Sequence, residues 1–326
     1  MTEAIQRAAE MLRTAGTVAV ACHVGPDGDA LGSALGLALS ARGAGKQAVA
    51  SFGSPFGVSD NYRFLPLEVL VPPSQFPAEP EVLVAFDVAA PERLGELAKA
   101  AKAAGCLIII DHHISNKGFG DIDVIDPEAA ASAQLAYYLI RTLDWPLDAE
   151  VATCLLTGLV TDTGRFQYSN ATPEALRVAA ALVEAGARPE VIGQSVYERV
   201  PFGFLHVEAA VLERSVLEPE LAFVWSVLRI ADLERAGIGL EETESLIDAL
   251  RVAREAQVAG LVKELSGGEV KVSLRSRGAV DVEAIASSLG GGGHHNASGF
   301  TYRGSADEAI AEVRVRLASR AASHDG

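Results

Sequence analysis

The first half of the chain alternates short apolar runs with amphipathic stretches. TVAVAC at 17–22, VLVAF at 82–86 and CLIII at 106–110 are rich in Val, Ile and Ala, and segments with helical spacing separate them. Continuous apolar runs of this kind are typical of strands that are buried on both faces of a parallel sheet. The pattern therefore predicts an α/β domain over residues 1–190, with a parallel sheet that helices cover on both faces.

The pattern changes after residue 220. LAFVWSVLRI, QVAGLVKEL and EVKVSLRSR alternate apolar and polar residues, and helical segments lie between and after them. An alternation with period two indicates strands that have one buried face and one polar face. We therefore expect a second, smaller α/β domain with a mixed sheet over residues 221–326, joined to the first by a helical linker at 191–220.

Composition narrows the class of protein. Apolar residues make up 49% of the 326 residues, and no apolar run reaches the roughly 18–20 residues that a membrane-spanning helix needs. The N-terminal MTEAIQRAAEMLRTAG is amphipathic and carries acidic residues, unlike a signal peptide. Cys22, Cys106 and Cys154 lie in apolar segments, which disfavours a disulfide framework. These features predict a cytoplasmic protein without a membrane segment.

The formal net charge of −16 restricts the partners. Proteins that hold long nucleic acids usually carry a basic face, because the release of counterions from phosphates drives that binding. The acidic balance therefore disfavours a long duplex as partner. It is compatible with a short phosphorylated substrate that a few arginines and metal ions hold.

Acidic and imidazole residues stand where the predicted strands end. They come from four segments: His23, Asp27 and Asp29; Asp87; Asp111, His112 and His113; and Asp162, within an apolar helical stretch. In open α/β sheets, ligands bind outside the carboxyl ends of the strands. Singly, these residues have plainer explanations, since an Asp before an apolar helix is usually a cap. Together at one sheet edge they predict a metal centre.

The composition of this set indicates which metal it holds. Four carboxylates, Asp27, Asp29, Asp87 and Asp162, balance two divalent cations, and the imidazoles favour Mn²⁺ over Mg²⁺. Two such ions about 3.5–4 Å apart share a water and clamp a phosphoryl oxygen. Asp87, at the end of a central strand, is the residue that we expect to bridge both ions.

Five ordered motifs resemble those of the DHH phosphoesterases. DHH itself stands at 111–113, and HVGPDGDALGSA, AFDVAAPERLG and GLVTDTGRF are similar to three further motifs of that family. GGGHHNASG at 291–299 resembles the signature of the DHHA1 domain. The whole set looks most like that of the NrnA-like oligoribonucleases, which are also phosphatases of 3′-phosphoadenosine 5′-phosphate (pAp). The resemblance implies a catalytic DHH domain, a substrate-binding DHHA1 domain and two Mn²⁺ ions.

The resemblance also implies a role for each residue of the set. One ion would be held by His23, Asp27 and Asp87, and the other by Asp29, Asp87, His112 and Asp162. His113 would lie beside the scissile phosphate, and Asp111 would orient the histidines. The expected catalytic residues are thus Asp87, Asp111, His112 and His113.

The second domain offers candidate substrate ligands. Arg275 lies on the polar face of a predicted strand, and a guanidinium suits phosphate oxygens. Gly290 could end the preceding helix, but four consecutive glycines exceed that need and let backbone amides approach an anion. The expected substrate-binding residues are Arg275, Gly292, Gly293, His294, His295 and Asn296. A solvated strand end and a flexible loop are the plainer alternatives that the sequence leaves open.

The leading hypothesis is a Mn²⁺-dependent phosphohydrolase. It would degrade short oligoribonucleotides (nanoRNA) from an end and dephosphorylate pAp, by in-line attack of a hydroxide that bridges two metals. The sequence leaves open the cleavage polarity, 3′-to-5′ or 5′-to-3′, and a homodimer. A phosphodiesterase of linear or cyclic dinucleotides and a RecJ-like single-strand exonuclease are the alternatives. The alternative from another class is a non-catalytic nucleotide-binding module, against which the complete ligand set argues.

Overall fold

The chain divides into two compact units, residues 1–198 and 199–326. The computed structural model describes the backbone of residues 2–324 and the side chains of residues 3–319. The division between the units falls inside 191–220, the segment that the sequence assigns to a helical linker.

A parallel sheet of five strands forms the centre of the first unit. The strands are β1 (Thr17–Cys22), β2 (Gln47–Phe52), β3 (Val82–Phe86), β4 (Cys106–Asp111) and β5 (Ile122–Ile125). Their order is β2-β1-β3-β4-β5, and every pairing is parallel. All residues of β3 and β4 are buried. The parallel sheet that the apolar runs predict is confirmed.

Helices cover both faces of this sheet, as predicted. They are α1 (Thr2–Thr14), α2 (Gly28–Gly43), α3 (Ala98–Ala103), α4 (Ser132–Leu143), α5 (Ala149–Asp162), α6 (Pro173–Glu184) and α7 (Pro189–Tyr197). Val84 and Phe86 of β3 belong to the core that includes α2, α4 and α5. Leu83 and Ala85 point to the opposite face and pack in the core that includes α3. Alternate residues of one strand thus serve two cores.

Glycines let α2 and α5 approach each other closely. A Cβ atom at Gly32 of α2 would collide with the carbonyl oxygen of Cys154 in α5. A Cβ atom at Gly158 of α5 would lie 2.7 Å from Oδ1 of Asp29 and 2.8 Å from Cβ of Ala133. Both distances are shorter than normal contacts, so larger residues at these positions would force the helices apart.

The second unit contains a mixed sheet of six strands. They are β6 (Val216–Glu218), β7 (Phe223–Leu228), β8 (Val258–Glu264), β9 (Glu269–Ser276), β10 (Gly292–His294) and β11 (Ala297–Arg303). Their order is β10-β11-β9-β8-β7-β6, and β7 and β8 pair in parallel whereas the other neighbours are antiparallel. The predicted mixed sheet is confirmed.

Helices cover this second sheet on two faces. They are α8 (Phe202–Glu213), α9 (Ile230–Ala236), α10 (Leu246–Arg251), α11 (Val282–Ser287) and α12 (Ala306–His324). Val262 of β8 packs in the core that includes α11 and α12, whereas Leu261 packs in the core that includes α8, α9 and α10. No helix in the described part of the chain has the length and apolar character needed to cross a membrane.

Two ion pairs of the second unit involve buried or half-buried groups. Nε and Nη2 of Arg314 donate to Oε2 and Oε1 of Glu218 at 2.9 and 2.7 Å, and the indole N–H of Trp225 donates to the same carboxylate. These bonds, the Arg314 bonds above all, lower the pKa of Glu218. Lys263 of β8 is only 1% exposed, and its Nζ lies 3.3 Å from Oε1 of Glu244. Burial lowers the pKa of Lys263.

Candidate metal centre

The carboxyl ends of three neighbouring strands bring the predicted residues together. β3 lies between β1 and β4, so Asp87, directly after β3, is flanked by the segments that follow the other two strands. Asp87 has a left-handed backbone with φ of 59°, and its N–H donates to Ile110 at 3.0 Å. This conformation costs a non-glycine residue roughly 1–2 kcal/mol. Such strain, held in place by the surrounding structure, is typical of functional sites.

Three imidazoles surround the buried carboxylate of Asp87. Its Oδ2 lies 3.5 Å from Nε2 of His23, and its Oδ1 lies 3.6 Å from Nε2 of His112 and 3.5 Å from Nδ1 of His113. The hydroxyl of Ser132 donates to Oδ1 at 3.1 Å. Burial alone would raise the pKa of Asp87, but the bond to His23 and the charges of His113 and His112 lower it. The side chain of Asp87 is therefore an anion.

His23 and His112 are oriented in the same way. Nδ1 of His23 lies 3.0 Å from the carbonyl oxygen of Val24, and Nδ1 of His112 lies 3.2 Å from that of Ala129. A backbone carbonyl accepts a hydrogen bond from each ring, so Nδ1 carries the proton and Nε2 presents its lone pair. Nε2 of both rings faces Asp87. Histidines that ligate metals are commonly held by this arrangement.

Two further carboxylates lie near the same nitrogen of His112. Its Nε2 is 3.1 Å from Oδ2 of Asp162 and 3.8 Å from Oδ2 of Asp29. Burial, together with the charges of Asp162 and Asp87, raises the pKa of Asp29. Repulsion among these anions is a cost that a cation between them would remove.

Asp27 and Asp29 also cap helices, but not the same one. Oδ1 of Asp27 accepts hydrogen bonds from the N–H groups of Asp29 and Ala30 at 3.1 and 3.0 Å, so Asp27 is the N-cap of α2. Asp29 is fully buried and accepts from the N–H groups of Ser132 and Ala133 at 2.6 and 2.9 Å. These are the first residues of α4, whose own N-cap residue offers no side-chain bond. Asp29 therefore caps α4 from α2.

Asp111 holds the turn that follows β4. Its Oδ1 lies 2.7 Å from Nδ1 of His113 and accepts from the N–H of His112 at 2.8 Å. Its Oδ2 accepts from Nδ2 of Asn116 at 2.6 Å. Asp111 is completely buried, so it orients His113 and the backbone after β4. Sequence reasoning did not identify Asn116, which stands outside the motif tripeptide.

The donor set fits divalent cations. His23, Asp27 and Asp87 form one group whose ligand atoms all lie within 4.8 Å of one another, and Asp87, His112 and His113 form another. Asp87 belongs to both groups. Carboxylate oxygens combined with imidazole nitrogens suit first-row divalent ions. The cluster can therefore hold divalent metal around Asp87.

In the second unit, Arg275 and His294 lie on the two strands that flank β11. In the register of the sheet, Ala297 of β11 pairs with Arg275 of β9 on one side and with His294 of β10 on the other. Residues directly opposite one another in antiparallel strands point to the same face, so the two side chains share a face. The half-buried Arg275 donates from Nη1 to the carbonyl oxygen of Leu274 at 3.1 Å.

The glycine run forms a strand of a hairpin rather than a flexible loop. A Cβ atom at Gly293 would lie 2.5 Å from the carbonyl oxygen of Ala297, whereas one at Gly292 would meet nothing. Nε2 of His295 lies 3.0 Å from the carbonyl oxygen of Gly278, and the carbonyl oxygen of Asn296 accepts from Ser276 at 2.9 Å. Strand pairing thus explains why position 293 needs a glycine and where the carbonyl group of Asn296 is bound. It does not explain the glycine at position 292, where a side chain would fit.

Three residues near the metal cluster escaped sequence reasoning: Tyr62, Arg165 and Tyr197. Tyr62 is the last residue of the 3-10 turn Asp60–Tyr62, against which α7 packs. Burial and the charge of Asp27 raise the pKa of Tyr62. The guanidinium carbon of Arg165 lies 4.7 Å from the ring centroid of Tyr197. Arg165 belongs to the motif GLVTDTGRF, so its place in that motif was the sequence feature that could have identified it.

Comparison with known proteins identifies both units. The model of the DHH family, N-terminal domain, matches residues 17–159, and that of the DHHA1 domain matches residues 226–319. The bifunctional oligoribonuclease and PAP phosphatase NrnA of Thermus thermophilus is 36% identical over 314 residues, which cover 93% of this chain and 89% of the relative. Its counterpart in Bacillus subtilis is 26% identical over 89% of this chain and 91% of the relative.

A solved structure supports the same assignment of the fold. The exopolyphosphatase-related protein of Bacteroides fragilis is 24% identical, with a TM-score of 0.89 over 98% of this chain and 96% of that chain. The motifs, the two domain matches and the similarity to the Thermus protein agree with one another. The chain therefore belongs to the DHH/DHHA1 phosphoesterases, within their NrnA-like group.

Proposed function

We propose that this phosphoesterase degrades short oligoribonucleotides from an end and removes a phosphate from pAp. The observation that carries the proposal is the cluster around Asp87, where three imidazoles lie within 3.6 Å of one carboxylate. The similarity to NrnA of Thermus thermophilus supports the choice of substrates. The net charge of −16 supports short substrates over long duplexes.

In this proposal two Mn²⁺ ions occupy the cluster. His23, Asp27 and Asp87 would hold one ion, and Asp29, Asp87, His112 and Asp162 would hold the other. Bound divalent cations supply an activated water and neutralise charge on phosphate oxygens. The imidazoles favour Mn²⁺ over Mg²⁺, since Mg²⁺ prefers an all-oxygen shell.

His113 would act on the substrate rather than on the metal. Its Nδ1 faces Asp111 at 2.7 Å, so Nε2 is the atom that would donate a hydrogen bond to a phosphate oxygen. Burial acts to lower the pKa of His113, but the hydrogen bond to Asp111 and the charge of Asp87 keep this pKa above its ordinary value. Asp111 is thus a positioning residue.

The second unit would bind the rest of the substrate. Arg275 and His294 share one face of the sheet, which supports a joint role in holding a phosphate or a base. The backbone at Gly292 has open space for a ligand. His295 and Asn296 would contribute by shaping the hairpin turn, because their bonds to Gly278 and Ser276 fix it.

A panel of substrates tests the proposed function. Purified protein with Mn²⁺ is offered pAp, end-labelled linear dinucleotide, a cyclic dinucleotide, five-nucleotide RNA and a long single strand, and initial rates are compared. We expect pAp and the short RNAs to be hydrolysed fastest and chelator to abolish the reaction. A preference for the long strand or for the cyclic dinucleotide would overturn the proposal.

Matched histidine variants test the cluster in the same assay. His112→Ala removes an imidazole from the cluster, whereas His206→Ala removes an exposed one from α8. We expect the first variant to lose hydrolysis and one bound metal per chain, and the second to retain both. Substantial turnover by His112→Ala would remove that residue from the metal centre.

A further inference from the structure

The turn that follows Asp162 is held in an unfavourable conformation. Gly164, Arg165 and Phe166 have φ angles of 53°, 62° and 61°. A single glycine in this conformation ends a helix without strain, but the two following side chains disfavour it. The N–H of Arg165 donates to Val160 at 2.8 Å, and that of Phe166 to the hydroxyl of Thr163 at 3.1 Å. These bonds fix the turn and therefore the starting point of the Arg165 side chain.

Within residues 3–319, the charge of Arg165 has no carboxylate partner. Seven other arginines form ion pairs with acidic side chains: Arg63, Arg177, Arg188, Arg214, Arg254, Arg314 and Arg316. Among the side chains that the structure describes, none forms such a pair with Arg165, although the chain contains 43 acidic residues. The side chain is also exposed to solvent. The guanidinium is thus available to an anion from outside.

The ring of Tyr197 lies against this guanidinium and restrains it. The ring centroid lies 4.7 Å from the guanidinium carbon, and stacking of this kind leaves the N–H groups at the edge of the plane for other acceptors. A planar guanidinium with a fixed orientation suits the two oxygens of a phosphate better than a flexible ammonium does.

Contacts connect this arginine to the metal cluster on the side of Asp27 and Asp162. Asp162 precedes Arg165 by three residues. At the end of α7, next to Tyr197, the carbonyl oxygen of Val196 accepts a hydrogen bond from Nδ2 of Asn61 at 3.2 Å. The helix α7 also packs against α5, whose last residue is Asp162. Arg165 therefore stands at the rim of the cluster.

We propose that Arg165 binds a phosphate group of the substrate beside the metal centre. The two cations only balance the four carboxylates of the cluster, so a guanidinium at the rim adds a positive charge that attracts and orients the phosphate. The inference rests on the proposed function, because the phosphate is that of a nucleotide substrate. It adds a substrate-binding residue that lies in the catalytic unit.

Variants of Arg165 test the inference through the split between KM and kcat. Arg165→Met keeps most of the length without the charge, Arg165→Lys keeps the charge without the planar group, and Arg177→Met is a control on the exposed surface of α6. We expect Arg165→Met to raise KM for pAp by about 10- to 100-fold, the loss typical of one charge-assisted hydrogen bond. The inhibition constant of AMP should rise in parallel. Arg165→Lys should recover part of the loss, and Arg177→Met should behave as wild type.

Additional readouts separate binding from a structural role. Mn²⁺ affinity by calorimetry and the midpoint of thermal unfolding should be the same for Arg165→Met and wild type. A KM that stays within about twofold of wild type would overturn the inference, as would a rise in KM that accompanies weaker Mn²⁺ binding. Wild-type protein that hydrolyses none of the phosphate esters would instead overturn the proposed function itself, so the two failures are distinguishable.

Discussion

Asp87 combines a central place in the metal cluster with a left-handed backbone, and two substitutions separate these properties. Asp87→Asn and Asp87→Ala both remove the negative charge. Asn tolerates a φ of 59° and keeps an oxygen that can accept from the hydroxyl of Ser132, now 3.1 Å away. Ala does not tolerate this φ angle as well and has no side-chain oxygen to accept the hydrogen bond. The difference in stability between the variants therefore isolates backbone strain and one hydrogen bond.

The expected difference can be worked out from these two contributions. The left-handed conformation costs Ala roughly 1–2 kcal/mol, and the lost hydrogen bond contributes about 1 kcal/mol. In the absence of metal, Asp87→Ala should thus unfold with a free energy about 2–3 kcal/mol smaller than that of Asp87→Asn. Both variants should lose hydrolysis by at least about 1000-fold, because the metal supplies several kcal/mol of stabilisation to the transition state.

Urea unfolding in the presence of chelator measures the difference in stability, and hydrolysis of pAp with Mn²⁺ measures the loss of activity. Asp144 provides the control, since it has a φ of 56° at the exposed end of α4. Asp144→Ala should be less stable than Asp144→Asn by about 1 kcal/mol with unchanged hydrolysis. Equal stability of the two Asp87 variants, alongside a difference between the Asp144 variants, would refute the strain argument. Hydrolysis by Asp87→Asn within about tenfold of wild type would refute the central role of Asp87.

Three further substitutions test the structure elsewhere. Glu218→Gln should lower the stability of the second unit by about 1–2 kcal/mol at neutral pH. Because the folded-state pKa of Glu218 is lowered, this difference should vanish as acid protonates the carboxylate. A difference that persists in urea unfolding at acidic pH would contradict this prediction. Gly158→Ala should weaken Mn²⁺ binding in calorimetry by displacing Asp29, whereas Gly193→Ala, where a Cβ meets nothing within 4 Å, should bind as wild type. Lys263→Met should not lower the free energy of unfolding at neutral pH, because burial lowers the pKa of Lys263 and its charge therefore disfavours the folded state. A decrease in the free energy of unfolding of more than about 1 kcal/mol would contradict this prediction.

The strands of both units were predictable where their patterns were long. The runs at β1, β3 and β4 each contain five consecutive apolar residues, and β9 alternates over eight residues. β5 was missed because IDVI has four residues, too few to distinguish a strand from a turn. The glycine run of β10 was expected to be an anion-binding loop, since glycines conceal the pairing that closes the hairpin.

The chemistry of the candidate site was predictable from residue types, but its supporting contacts were not. The motifs placed His23, Asp87 and His112 at strand ends, and the structure brings both histidines within 3.6 Å of the Asp87 carboxylate. The bond from Asp29 to the first turn of α4 joins positions more than 100 residues apart. No local pattern encodes such a partner, nor the left-handed turn at Arg165, because both depend on tertiary packing.

Ser132 makes the first turn of α4 a natural reporter of the metal cluster. Its N–H donates to Asp29 at 2.6 Å and its hydroxyl to Asp87 at 3.1 Å, so two carboxylates of the cluster meet at one residue that is not itself an expected ligand. A cation that restrains both carboxylates also restrains the amide protons of Ser132 and Ala133. Their exchange with deuterated solvent should slow when metal binds, which makes occupancy measurable on the backbone of a helix that supplies no ligand.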